Sequence, residues 1–182
     1  TDLSVNMAAV GAEMAAQLNA AGVNTLHDTT LHDYPSYNGS YAKSNATVRS
    51  YLERYPSIKV VLDVHRDAMG TQDGMRIKPT ALINGKKAAQ VMIISGCDDD
   101  GTLGFPNWEY NLRLGVRIQK SLSDLYPGLA RPLSFCPKKY NEHMTKGSLL
   151  VEFGTEVNTL EEVKYSGQLF GKALAETLEQ LT

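Results

Sequence analysis

Two apolar runs, KVVLDV and SLLVEFG, leave this chain few ways to fold. Each is strand-sized and shows no alternation of apolar and polar positions, the pattern of a strand buried on both faces of a parallel sheet. Parallel strands need crossover connections, and the sequence supplies helices for them. DLSVNMAAVGAEMAAQLNAAG places Val5, Met7, Val10, Met14 and Leu18 at helical spacing and ends at Gly22, a helix C-cap. SNATVRSYLERYP reads as a second helix stopped by Pro56. NWEYNLRLGVRIQKSLSDLYPG reads as a third, with Leu112, Val116, Leu122 and Leu125 among its apolar positions and Pro127 behind it. Thr159 and Glu162 form a capping box that opens the last helix.

Shorter elements lie between these. VNTLH (residues 23–27) and PLSF read as short strands, DTTLHDYPSYNGSY as a long irregular loop, and KKYNEHMTKG as a polar one. MRIKPTALI and AAQVMIIS, joined at Asn84 and Gly85, read as an inserted β-hairpin. GCDDDG lacks the spacing and terminal Glu of an EF-hand and reads as a solvated turn. The fold class predicted is α/β: a three-layer sandwich around a largely parallel, mixed central sheet with an inserted β-hairpin. With 182 residues and 42% hydrophobic content, a single domain over residues 1–182 can bury one core.

Several functions are excluded at this level. Lys and Arg number 18 against 20 Asp and Glu, for a net charge of −2 with both signs scattered, so no basic footprint for nucleic acid is present. The longest apolar runs fall far short of the roughly 20 residues that span a bilayer, so a membrane is reached only through an anchor absent from this chain. There is no GxSxG, GxGxxG or P-loop motif. Cys97 and Cys136 are the only cysteines, and they read as two thiols packed as small hydrophobes.

In a doubly covered sheet, ligands sit at the carboxyl ends of the strands. His65 directly follows VVLDV and is flanked by Asp63, Arg66 and Asp67, a concentration of ionisable groups that is costly unless they bind or react. A neutral imidazole there suits Zn²⁺; a structural, hydrogen-bonded histidine fits the position as well. Arg66 and Asp67 also fit a mutual or neighbouring salt bridge. Glu152 interrupts an otherwise apolar strand, which is expensive unless the carboxylate is paired, metal-bound or raised in pKa for proton transfer. If the two share a crevice, they hold the parts of a hydrolytic zinc centre: a metal ligand and a general acid/base. His27, His32 and His143 are further histidines, of which His143, just before the Glu152 strand, can reach the site mouth. Tyr34, Tyr37 and Tyr41 can stack on a sugar or peptide, or simply hold their loop together. The sequons at Asn38 and Asn45 carry no argument.

HDTTLHDYPSYNGSYAKS, VVLDVHRDA and GSLLVEFGTEVNTLEEVKYSG together resemble the stage II sporulation protein P family, over nearly the whole chain from about Thr25 onward. Those proteins are N-acetylmuramoyl-L-alanine amidases related to the broader zinc amidase family. The resemblance implies that His65 is a Zn²⁺ ligand and Glu152 the catalytic acid/base; Arg66, Tyr34 and His143 are candidate substrate contacts by their own positions beside these motifs and in the loops, not by the resemblance. It implies cleavage of the amide between N-acetylmuramic acid and L-alanine, with peptide cross-link cleavage in addition. It further implies peptidoglycan as substrate, proteins D and M of the same sporulation stage as partners, and a membrane-tethered, extracytoplasmic place facing the wall at the septum during engulfment. The family's opening strand, whose H-T-H-x-x-E type motif brings a first His and an acidic metal ligand, is missing here, so the remaining ligands are expected upstream of Thr1. Two other readings stay open: a wall-binding module without metal, and a zinc carboxypeptidase or deacetylase on a similar scaffold.

Overall fold

The computed structural model describes residues 2–181. After a 3-10 turn at Leu3–Val5 come helices α1 (Met7–Ala20), α2 (Ser40–Arg54), α3 (Trp108–Leu125) and α4 (Leu160–Glu179). The strands are β1 (Val61–Asp67), β2 (Thr80–Ile83), β3 (Lys86–Ala89), β4 (Val91–Gly96), β5 (Ser134–Cys136) and β6 (Ser148–Thr155). Four of them form the central sheet in the order β1-β6-β4-β5. β1 runs parallel to β6 and β4 parallel to β5, with an antiparallel seam between β6 and β4. The α/β sandwich around a mixed sheet is therefore present.

Alternation along β6 sorts its side chains onto two faces. Leu149, Val151 and Phe153 join Ile93 of β4 in the main apolar cluster, together with Val10 and Met14 of α1, Leu114 and Ile118 of α3, and Phe170 and Leu174 of α4. Phe153 meets Phe170 edge to face with centroids 5.4 Å apart, a favoured aromatic geometry. α4 lies against α1 at backbone range: a Cβ on Gly167 or Gly171 would sit 2.9 Å from the carbonyl oxygen of Val10 or Met14. Residues Leu150 and Glu152 belong to the other face, which is covered by α2, the 97–107 segment and the stretch before β6. α2 buries no side chain; it reaches that face through Tyr41 and through a hydrogen bond from Asn45 to Asn141.

Several elements differ from the sequence reading, each for a physical reason. Residues 23–27 form no strand: Asn19 takes the backbone groups of Thr25, whose N–H donates to Asn19 Oδ1 and whose carbonyl accepts from Asn19 Nδ2, and the Val23 N–H donates to the Leu18 carbonyl. β1 is half-buried rather than buried on both faces, since among the described residues it pairs only with β6 and stands at the sheet edge. The hairpin forms at Asn84 and Gly85, both with positive φ, as a type I′ turn requires. Its second arm divides at Gln90, so that β3 stays in the hairpin and β4 enters the central sheet. On α3 the buried stripe is Asn111, Leu114, Gly115, Ile118, Ser121 and Leu122, leaving Val116 and Leu125 exposed. Asp98 is not solvated: it is buried and accepts from the N–H groups of Leu103 and Phe105, pinning the acidic turn. Cys97 and Cys136 are free thiols, the first buried and the second half-buried.

Candidate active site

The parallel register pairs His65 with Glu152, and the antiparallel seam pairs Glu152 with Met92. In-register neighbours point to the same face, so His65 and Glu152 stand side by side on the face opposite the helical core. The crevice is thus a sheet face near the strand ends rather than the space beyond them. Asp63, two residues back on β1, shares that face, and its Oδ1 lies 2.9 Å from His65 Nε2. Tyr41 of α2 covers the imidazole, rings nearly parallel at 20° with centroids 6.4 Å apart.

Burial draws the His65 pKa down, but Asp63, Glu152 and Asp33 outweigh it and the net shift is upward. Glu152 moves further. Burial pushes its carboxyl up to about 7, against the pull of His65 and Arg131 and with the help of Asp67 and Asp63. One of its oxygens, Oε2, is buried without a hydrogen-bond partner. A carboxyl that titrates near neutrality, with an oxygen uncommitted, is suited to take and return protons.

A second ion pair flanks this carboxyl. Arg131 Nη1 donates to Asp67 Oδ2 at 2.8 Å, with the two side chains only 17% and 22% exposed. Asp67 therefore has a salt-bridge partner, and it is not the adjacent Arg66. A third carboxyl, Glu142, is almost fully buried beside Gly96, whose N–H donates to Glu142 Oε2 at 2.8 Å. Burial pushes this group up to about 8, opposed by backbone hydrogen bonds and reinforced by Asp63.

Arg66 alternates to the helical side of β1 and lines a cavity of about 210 Å³ with Asn6, Met7 and Leu160. Tyr34 stands in the loop before α2, 69% exposed. His143 lies in a 3-10 turn (Glu142–Met144), where burial and the cations of Lys139 and Arg49 hold its pKa down and its Nδ1 is buried without a partner. His32 bonds Thr47, and His27 abuts Gly11 of α1. Arg131, Glu142 and Tyr140 are the participants that the sequence reading missed. Arg131 is separated from Asp67 by 64 residues, and Glu142 is hidden in a stretch whose composition is that of a solvated loop.

Among the described residues, no group of three or more His, Cys, Asp or Glu side chains is disposed to hold a metal ion. A zinc site needs about three protein ligands. His65, whose Nε2 faces Asp63, does not complete one with these neighbours.

Fold and site together define an α/β sandwich with His65 and Glu152 in register on the sheet face opposite the helical core. A family model described as stage II sporulation protein P matches residues 1–175. Stage II sporulation protein P of Bacillus subtilis (strain 168) is 27% identical over 170 residues, a match that covers 87% of this chain and 40% of that protein. The chain belongs to the stage II sporulation protein P family, and membership gives it a sporulation-related role. The chain thus spans well under half the length of that relative. Among the described residues no helix is long and apolar enough to cross a membrane.

Proposed function

We propose that this chain is a peptidoglycan hydrolase of sporulation that cleaves the amide between N-acetylmuramic acid and L-alanine of the stem peptide. One observation carries the reading: Glu152 holds a half-buried carboxyl with an uncommitted oxygen and a pKa of about 7, in register with His65 on the sheet face opposite the helical core. As carboxylate it accepts a proton from the attacking water while the water oxygen bonds to the amide carbon. As acid it returns that proton to the nitrogen when the carbon–nitrogen bond breaks, leaving a free lactyl carboxyl and the amino group of L-alanine. Asp63 fixes the His65 ring, and Arg131 with Asp67 sets the charge around Glu152. Zinc belongs to the proposal with His65 as its one ligand here; the side chains described do not complete its shell.

Family membership supports the rest of the reading: action on the wall side of a membrane-tethered protein, together with proteins D and M of the same stage. Arg66, Tyr34 and His143 were expected as substrate contacts. Of these Arg66 faces away from Glu152, and Tyr34 and His143 remain as the proposed contacts.

The test is digestion of purified peptidoglycan by the parent and by Glu152→Gln. Stem peptides released with new N-terminal L-alanine, and a loss of about 100-fold or more in the variant, are expected for a positioned acid/base. Equal activity of the two proteins contradicts the mechanism. Other new end groups would indicate carboxypeptidase or deacetylase chemistry. Co-sedimentation with cell wall, without bound zinc or cleavage, would establish a non-catalytic wall-binding module.

A further inference from the structure

The stretch between β5 and β6 crosses the sheet face opposite the helical core as a clamped arch. At its start the Lys138 carbonyl lies so close to β4 that a Cβ on Gly96 would stand 1.9 Å from it. The buried Glu142 carboxylate is tied to the Gly96 N–H. At its far end Asn111 Nδ2 donates to the carbonyls of Glu142 and Ser148, at 2.8 and 2.6 Å.

Two consecutive residues at the top of this arch, Tyr140 and Asn141, have φ of 43° and 62°. Left-handed backbone at non-glycine residues costs free energy and persists only where the surroundings impose it. Here Asn141 imposes it: its Nδ2 donates to the Tyr41 carbonyl at 2.7 Å, and its Oδ1 accepts from Asn45 at 3.1 Å. The result is that Tyr140 is held against Tyr41, with centroids 5.8 Å apart and planes tilted by 44°. Tyr41 in turn covers His65. Lys138 Nζ stands 5.7 Å from the Tyr140 ring centre, at the exposed rim.

Nothing in the acid/base chemistry of Glu152 requires these rings. Yet the strained turn and its clamps serve to present them beside the reacting pair. Two half-buried tyrosines offer ring faces for the C–H side of a pyranose and hydroxyls for its rim, at little cost in side-chain freedom. Tyr37 and Tyr34, 68% and 69% exposed, stand in the loop before α2.

We propose that Tyr140 and Tyr41, held by the Asn141 turn with Lys138 at the rim, form a stacking subsite for the N-acetyl sugar that adjoins the scissile amide. The proposal rests on the hydrolase reading for the identity of the sugar, and it names the half of the substrate that this wall takes.

Binding is measured by NMR chemical-shift titration of the Glu152→Gln protein, which removes turnover. The two probes are the stem-free disaccharide of N-acetylglucosamine and N-acetylmuramic acid, and the free stem tetrapeptide. The disaccharide is expected to perturb Tyr140 and Tyr41. A Tyr140→Ala change should weaken it about tenfold, as loss of an aromatic stack does, while Tyr140→Phe stays close to the parent. Equal thermal midpoints for the Ala and Phe variants show that the fold is kept; if Ala fails to fold, Asn141→Gly, which relieves the strained φ and removes the clamp, is expected to weaken the disaccharide likewise. Disaccharide binding unchanged by Tyr140→Ala, or shifts at these rings with the tetrapeptide alone, overturns the subsite. Disaccharide binding in a parent that hydrolyses nothing leaves the subsite standing and removes the hydrolase reading. Hydrolysis without disaccharide binding does the reverse.

Discussion

Adjacent residues of β6 live in opposite worlds. Val151 and Phe153 are fully buried in the apolar cluster beneath α3 and α4, whereas Glu152 between them is half-buried on the other face with an oxygen lacking a partner. One face is filled by the apolar side chains of α1, α3 and α4, which are buried against it. The other is covered by a strained arch, by α2 without a buried side chain, and by ion pairs. The same strand thus carries the stability of the domain on one side and a costly, uncommitted carboxyl on the other. That division is how a scaffold can hold a reactive group without surrendering its fold.

The contrast makes ordered predictions. Phe153→Ala should be the most damaging change, losing about 3–5 kcal/mol of stability because it opens a cavity against Phe170; chemical denaturation measures this, and a loss below about 1 kcal/mol would mean that the helical face is not the close-packed one. Arg131→Gln comes next. Breaking a fully buried pair costs about 3–5 kcal/mol, but these side chains retain 17% and 22% exposure, so about 2 kcal/mol is expected. The same variant should move the Glu152 midpoint further up, because Arg131 is one of the groups that lowers it.

Glu152→Gln should be the mildest for the fold, and of opposite sign: a gain of roughly 1 kcal/mol near pH 7.5, as an unpaired half-buried charge is removed. Its pH dependence has a defined direction. The folded pKa of about 7 lies above the ordinary 4.5, so the folded protein binds the extra proton and the parent is stabilised at low pH. That stability is lost as pH rises from about 4.5 to about 7, so the advantage of the Gln variant should grow across this window and then level off. Parallel curves for the two proteins would show that Glu152 is as solvated as any surface carboxylate.

Much of this contrast is legible in the sequence, and some is not. A single Glu within SLLVEFG announces a carboxyl that must be paired, metal-bound or raised in pKa, and the capping box at Thr159 and Glu162 forms as read. The face on which Glu152 lies is not legible, since residues 149–151 are apolar whichever way they point; only the register with His65 and Met92 settles it. VNTLH has strand composition, but Asn19 of the adjoining helix takes the backbone groups of Thr25 at its centre, a competition that periodicity does not register. Arg131, Glu142 and Tyr140 lie in stretches of loop-like composition and acquire their roles only through contacts distant in sequence.

The central claim is that the fold itself sets Glu152 apart as a proton-transfer group. The direct measurement is the titration of its side-chain carboxyl by carbon-13 NMR, assigned by comparison with Glu152→Gln. A midpoint of about 7 is expected. A midpoint in the ordinary carboxylate range, near 4.5, would contradict the account.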